Sequence, residues 1–128
     1  MDAPAPREAL LVEDEALVAM VAEEYLGELG FEPFSARNAA EAMRILEERP
    51  DLAVALVDIG LPDQRGDELA KRMRQLRPEL PILMASGYDG GDIKSRFAGD
   101  ARVGVLSKPY TEGDLVRALG DLGLAAQA

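Results

Sequence analysis

Glu13, Asp14, Asp58, Ser86 and Lys108 each stand at or just beyond the end of a short apolar run, in the segments "LLVED", "LAVALVD", "PILMAS" and "VGVLSK". Singly, each has an ordinary explanation. Acids that follow a strand are favoured by the dipole of the next helix, an aspartate before a Gly- and Pro-rich loop is a common turn former, a serine before glycine is turn composition, and a lysine before proline is commonly solvated. Together they amount to three carboxylates, a hydroxyl and an amine. Carboxylates crowded at one place raise one another's pKa unless a cation neutralises them. A hard divalent ion resolves that conflict, with Asp14 and Asp58 giving oxygens directly, Glu13 acting through a bound water, and further waters completing the octahedron. An Asp58 carboxylate held in this way keeps a second oxygen that can attack a phosphoryl group. The charge on that group would be shared by the metal, Lys108, the Ser86 hydroxyl and loop N–H groups. The chemistry this set supports is phosphoryl transfer to a carboxylate, giving an aspartyl phosphate.

Composition narrows the alternatives. The chain has no Cys and no His, so thiolate nucleophiles, zinc–sulfur sites, imidazole ligands and imidazole bases are excluded. Any metal should be an oxygen-loving cation, Mg²⁺ first and Mn²⁺ in its place. Twenty-four acidic against fourteen basic side chains, a net charge of −10, oppose direct binding to nucleic acid or to an anionic membrane. No apolar run approaches the roughly 18 residues of a membrane span, and "MDAPAPRE" lacks the basic and apolar regions of a secretory signal. The expected location is cytoplasmic. At 128 residues one core is the default, able to bury about two thirds of the unfolded chain's surface.

The five residues need elements to position them. Leu10, Leu11 and Val12 form the core of a first strand. Val18, Val21, Ala22, Tyr25 and Leu29 then recur at helical spacing over residues 15–29, and Gly30 supplies a stop. "FEPFSA" reads as an edge strand, because Pro33 lacks a backbone donor. Asn38 followed by Glu41 predicts a capped helix with Ala42, Ile45 and Leu46 inward. "LAVALVD" reads as a buried strand, followed by the loop "GLPDQRG" and a helix over about 67–76. "PILMAS" and "VGVLS" are the fourth and fifth strands, with a short helix predicted between them near 93–97. Thr111 caps a last helix with Leu115, Val116, Leu119 and Leu122 on one face. Strands alternating with helices imply a parallel, doubly wound sheet with helices on both faces, and such sheets place ligands beyond the carboxyl ends of the strands. All five chemical residues fall at those ends.

The motifs "LLVEDE", "LVDIGLPDQRG", "PILMASGY" and "VLSKPY", in that order and one strand and helix apart, resemble the receiver domain of two-component response regulators from about Glu8 to Leu122. The resemblance implies a flavodoxin-like (βα)5 fold of strand order 2-1-3-4-5. It spans 7–124, between an N-terminal tail of residues 1–6 and a C-terminal tail of 125–128. It also implies roles. Asp58 is the phosphoacceptor, Asp14 a direct metal ligand, Glu13 a metal residue acting at one remove, and the Gly60 carbonyl a further ligand. Ser86 and Lys108 bind the phosphoryl oxygens with the N–H groups of Ile59 and Gly87, and Ser107-Lys108-Pro109 contains a cis peptide. The phosphodonor is a histidine on a separate kinase or phosphotransfer domain, which this His-free chain cannot itself supply. The output is a downstream protein target or an attached kinase module, with homodimerisation a further option. Such a domain would catalyse its own phosphorylation and slow hydrolysis.

The sequence departs from the family pattern at two places. Val105 occupies the position where many receivers carry an aromatic switch, and the only nearby aromatic, Tyr110, reads as a packing residue. Gly90 and Gly91 disfavour the start of the predicted helix near 93–97, and Tyr88 overhangs the pocket opposite Gly60. Three other functions compete. A phosphatase with an Asp nucleophile would want a second Asp two residues later, where Gly60 stands. A flavin or nucleotide module would want a glycine-rich first turn, where "VEDEAL" is acidic. A degenerate receiver would bind proteins without being phosphorylated, though every site position here carries a competent residue. No effector segment follows Ala125, so the expectation is a stand-alone receiver or part of a larger regulator or hybrid kinase.

Overall fold

The structure, a computed structural model, describes residues 6–87, 95, 97 and 99–124. Most of the expected helix near 93–97, the overhang of Tyr88 and most of both tails lie outside the described residues. Five strands are described: β1 (Arg7–Val12), β2 (Phe31–Ala36), β3 (Leu52–Asp58), β4 (Ile82–Ser86) and β5 (Val103–Ser107). Four helices accompany them: α1 (Ala16–Glu28), α2 (Ala39–Glu48), α3 (Gly66–Leu76) and α4 (Glu112–Asp121). All strand pairings are parallel, in the order β2-β1-β3-β4-β5. Pro33 therefore sits on an edge strand, as its missing donor requires.

Alternate residues of β1 feed two cores, which is why its sequence is apolar without interruption. Leu10 and Val12 join Leu46, Leu69, Met73 and Met84 under α2 and α3. Ala9 and Leu11 join Ala22, Leu26, Leu83, Leu115 and Leu119 under α1 and α4. Each of these fully buried leucines contributes roughly 1.5–3 kcal/mol of burial free energy.

Two helix faces differ from expectation. On α1 the buried positions are Ala22 and Leu26, with Leu29 buried just past its end, while Val21 is 45% exposed together with Leu17 (77%) and Met20 (59%). The segment is apolar on nearly all sides, so its periodicity does not select the inward face. On α4, Leu115 and Leu119 are buried but Val116 is 39% exposed, because it lies one position off their stripe.

The caps follow the sequence closely. The Asn38 side chain accepts the Glu41 N–H at 2.8 Å, and the Glu41 carboxylate reaches the Arg37 N–H at 3.4 Å. Thr111 and Asp114 form a full capping box at the start of α4. At the far end of α2, the Arg77 guanidinium donates to the carbonyls of Leu46, Arg49 and Pro50. Among the described residues no helix is long and apolar enough to cross a membrane.

Candidate phosphoryl-transfer site

Register decides which side chains meet. Val12 pairs with Val57, Asp58 with Ala85, and Ser86 with Ser107. Glu13, Asp58, Ser86 and Lys108 consequently emerge side by side at the carboxyl edge of β1, β3, β4 and β5. Glu13 is additionally fixed by donating its N–H to the Ala36 carbonyl at 3.0 Å. Lys108 reaches back across β4, placing Nζ 3.0 Å from Glu13 Oε1 and 3.2 Å from Asp58 Oδ1. Glu13, Asp58 and Ser86 are buried, while Asp14 stands exposed at the mouth. One oxygen from each of Glu13, Asp14 and Asp58 lies within 4.8 Å of the others.

The electrostatics follow from one cation serving two buried acids. Burial pushes the Glu13 carboxyl above its ordinary value of 4.5, and the hydrogen bonds from Lys108 and the Glu15 N–H offset only part of that, with the Asp58 charge adding to the rise. Burial would lower the Lys108 ammonium, but its hydrogen bond to Glu13 and the charges of Asp58 and Glu13 outweigh it and hold the group above 10.5. The Lys108 link therefore stabilises the fold below pH 10.5 and is lost as pH rises through the folded value. Glu13 works in the opposite direction. Between 4.5 and its raised value the native state holds the extra proton, so stability falls as pH climbs through that window. Melting temperatures measured across this range should fall less steeply in Glu13→Gln than in wild type; an unchanged slope would show that Glu13 does not carry the dependence.

Backbone geometry accounts for the loop after Asp58. Gly66 N–H donates to the Ile59 carbonyl at 2.8 Å, closing the loop's base. A Cβ added at Gly66 would lie 2.0 Å from the Asp58 carbonyl oxygen, so no other residue fits there. A Cβ at Gly60 would stand 3.8 Å from Asp58 Oδ2, an ordinary contact beside the carboxylate. Ile59 N–H donates to the Ala85 carbonyl at 3.0 Å. That bond continues the β3–β4 ladder, so Ile59 contacts a phosphoryl oxygen only by sharing or giving up its partner. Gly87 follows Ser86 at the exposed rim. The Lys108–Pro109 peptide is cis, as the resemblance implies.

Val105 is half-buried against the core beneath α2 and α3. Tyr110 packs instead on the opposite core, its ring 6.4 Å from that of Tyr25 at 56°. Burial and the Glu13 charge push its hydroxyl up to about 12. Two further residues were not evident in the sequence. Asp67 is fully buried and ion-paired with Arg65 at 3.0 Å, and Asp63 bonds to α2 from within the loop. Both sit in "PDQRGD", where turn composition hides any tertiary partner.

The chain is similar to known proteins in both sequence and fold. A family model described as response regulator receiver domain matches residues 9–120. The sensor kinase CckA of Brucella abortus is 30% identical over 103 residues, 80% of this chain and 11% of that protein. The transcriptional regulatory protein PdtaR of Mycobacterium tuberculosis is 32% identical over 120 residues, 92% of this chain and 57% of its own length. The chain thus spans only part of these relatives. Among solved structures, a response regulator receiver protein from Sinorhizobium medicae superposes with a TM-score of 0.81 at 26% identity, covering 91% of this chain and 94% of that one. The chemotaxis protein CheY4 of Vibrio cholerae gives 0.84 at 23% identity, covering 92% and 99%, and supports the fold.

Proposed function

As the chain belongs to the response regulator receiver domain family, the receiver module of two-component systems, we propose that Asp58 accepts a phosphoryl group from a phosphohistidine on a partner protein. The observation that carries this reading is the pairing of Lys108 with both Asp58 and Glu13 beside three converging carboxylates.

Receiver domains generally bind Mg²⁺ at an acidic pocket, and the residues here suit such an ion. They offer only oxygen donors, which suit a hard divalent cation, and one oxygen from each of the three carboxylates comes within 4.8 Å of the others. In this reading Asp14, Asp58 and the Gly60 carbonyl hold Mg²⁺, or Mn²⁺ in its place. Glu13, already engaged by Lys108 and the Glu15 N–H, acts through a water. The ion supplies charge neutralisation for the phosphoryl oxygens.

The chain's own residues do the rest. An Asp58 carboxylate oxygen attacks phosphorus in line with the bond to the donor imidazole. That N–P bond breaks, its electron pair stays on the ring nitrogen, and the new O–P bond forms. Lys108 transfers its contact from Asp58 Oδ1 to a phosphoryl oxygen, and the Ser86 hydroxyl donates to another. Hydrolysis of the aspartyl phosphate by water resets the site. The receiver unit is assigned to residues 7–124, acting in the cytoplasm and signalling through altered docking. The test is intact mass after incubation with a small acyl phosphate. One base-labile phosphoryl group should appear with Mg²⁺ and be absent with a chelator; release of inorganic phosphate with no protein adduct would favour a phosphatase instead.

The exposed face of α1 supports a seat for the donor on this side of the site. Leu17, Val18, Val21 and Tyr25 form an apolar groove with Pro109 and Tyr110, and its wall includes Lys108. A protein resting an apolar helix there would present its histidine to Asp58. Leu17→Glu should therefore slow transfer from the cognate phosphohistidine protein by about ten-fold, the scale of one central interface contact, and leave labelling by a small phosphodonor unchanged. Equal loss with both donors would place the defect in the site.

A further inference from the structure

Asp63 lies five residues beyond the proposed phosphoacceptor and outside the cluster of ligands. Its two carboxylate oxygens accept the first two backbone N–H groups of α2, Ala39 N–H at 2.9 Å and Ala40 N–H at 3.1 Å. Asn38 caps the Glu41 N–H from the local position, which leaves the first two N–H groups of the helix to a second acceptor, and Asp63 takes both. What is unusual is the origin of the second cap, which comes from a different loop 24 residues along the chain.

The consequence appears when the bonds are followed in sequence. Glu13, in the acidic pair after β1, donates its N–H to Ala36 at the end of β2. Ala36 leads within three residues to Ala39, whose N–H is held by Asp63. Asp63 in turn belongs to the loop that carries Gly60 and is pinned at its base by the bond from Gly66 N–H to Ile59. The two loops that bear the metal-site residues are thereby joined through the start of α2. A carboxylate can make this join without adding to the repulsion at the cluster, because both oxygens are committed to N–H groups at the positive end of a helix. Those backbone bonds hold the Asp63 carboxyl below its ordinary value of 3.8.

We infer that Asp63 is a positioning residue that sets the separation between the Glu13–Asp14 loop and the Gly60 carbonyl, and so sets the affinity of the site for its divalent cation. The inference rests on the functional reading above, in which those residues hold Mg²⁺. Partners that orient metal ligands from outside the ligand set typically alter metal affinity by about 10–100-fold, and the lower end suits a contact at the surface.

Magnesium affinity can be read from the rise of melting temperature with Mg²⁺ concentration, which depends on the dissociation constant separately from the metal-free stability. Asp63→Ala should weaken Mg²⁺ binding about ten-fold, and Asp63→Asn, which keeps one accepting oxygen, should fall between. Asn38→Ala removes a cap at the same helix end without touching the loop, and should stay within about two-fold of wild type. An Asp63→Ala value equal to wild type, or an Asn38→Ala loss matching it, would overturn the inference. Should wild type show no response to Mg²⁺, the functional reading fails independently. Amide exchange then decides whether Asp63 joins the loops: Ala39, Ala40 and residues 60–65 should all exchange faster in Asp63→Ala, and unchanged exchange would reject the link.

Discussion

Lys108→Ala should take up phosphoryl groups from a small phosphodonor about 10²–10³-fold more slowly than wild type, the usual cost of deleting one charge-stabilising donor. The reason is geometric. The ammonium already stands 3.2 Å from Asp58 Oδ1, where negative charge accumulates as a phosphoryl group arrives, and it is held there by a second contact of 3.0 Å to Glu13 Oε1. The change should also cost roughly 1–3 kcal/mol of stability, because Glu13 and Asp58 lose the cation that offsets their burial. The two effects separate with pH. Acidification protonates Glu13 and should recover part of the stability but none of the rate. Lys108→Arg should not restore the rate, since a planar fork cannot occupy the site of a compact ammonium between two carboxylates. Quench-flow labelling with parallel thermal melts measures both quantities; a rate within about three-fold of wild type would remove Lys108 from the chemistry.

The second large effect is expected at Gly66. An alanine Cβ there would meet the Asp58 carbonyl oxygen at 2.0 Å, its carbon at 2.7 Å and Ile59 Cα at 2.8 Å, all of them backbone atoms that cannot rotate away. Relief requires moving the end of β3 or the start of α3, and both are fixed by the bond from Gly66 to Ile59. Gly66→Ala should lose about 3 kcal/mol or more in chemical denaturation, at the upper end for overpacked sites. What remains folded should label poorly because Asp58 is displaced. Gly60→Ala is the matched control, since among the described residues its Cβ meets only Asp58 Oδ2, at 3.8 Å, and should leave stability within about 0.5 kcal/mol. Similar losses at both positions would mean that loop flexibility, not contact, governs the site.

These two residues mark where sequence reading succeeds and where it stops. Lys108 was legible because a parallel sheet delivers whatever follows each strand to one edge, so "VGVLSK" and "LAVALVD" suffice to bring an amine and a carboxylate together. Gly66 was not, since a glycine closing "GLPDQRG" looks the same whether it turns freely or lies on a carbonyl. The same limit explains α1. Apolar residues occupy most of its sides, and only packing shows that Leu26 faces the core while Val21 faces outward. It also explains Ile59, whose N–H is consumed by the ladder to Ala85, a partner determined by register across two strands. Asp63 is the strongest case. Its partners lie in a different loop, and no local pattern distinguishes a carboxylate that holds two helix N–H groups from one that forms a turn.

The departure at Val105 bears on output. This side chain is half-buried in the core under α2 and α3, so a change at the site has no aromatic there to rotate. A hydrogen-bonded path from the loop after Asp58 runs through Asp63 to α2, so that helix, like α3 at the loop's other end, is tied directly to the loop.

Whether Asp58 accepts the phosphoryl group is decided by the intact masses of wild type and Asp58→Asn, each incubated with Mg²⁺ and a small acyl phosphate. A single phosphoryl adduct is expected on wild type, labile to base, mapping to the peptide that contains Asp58 and missing from Asp58→Asn. An adduct of equal yield on the variant, or none on wild type with Mg²⁺ present, would contradict it.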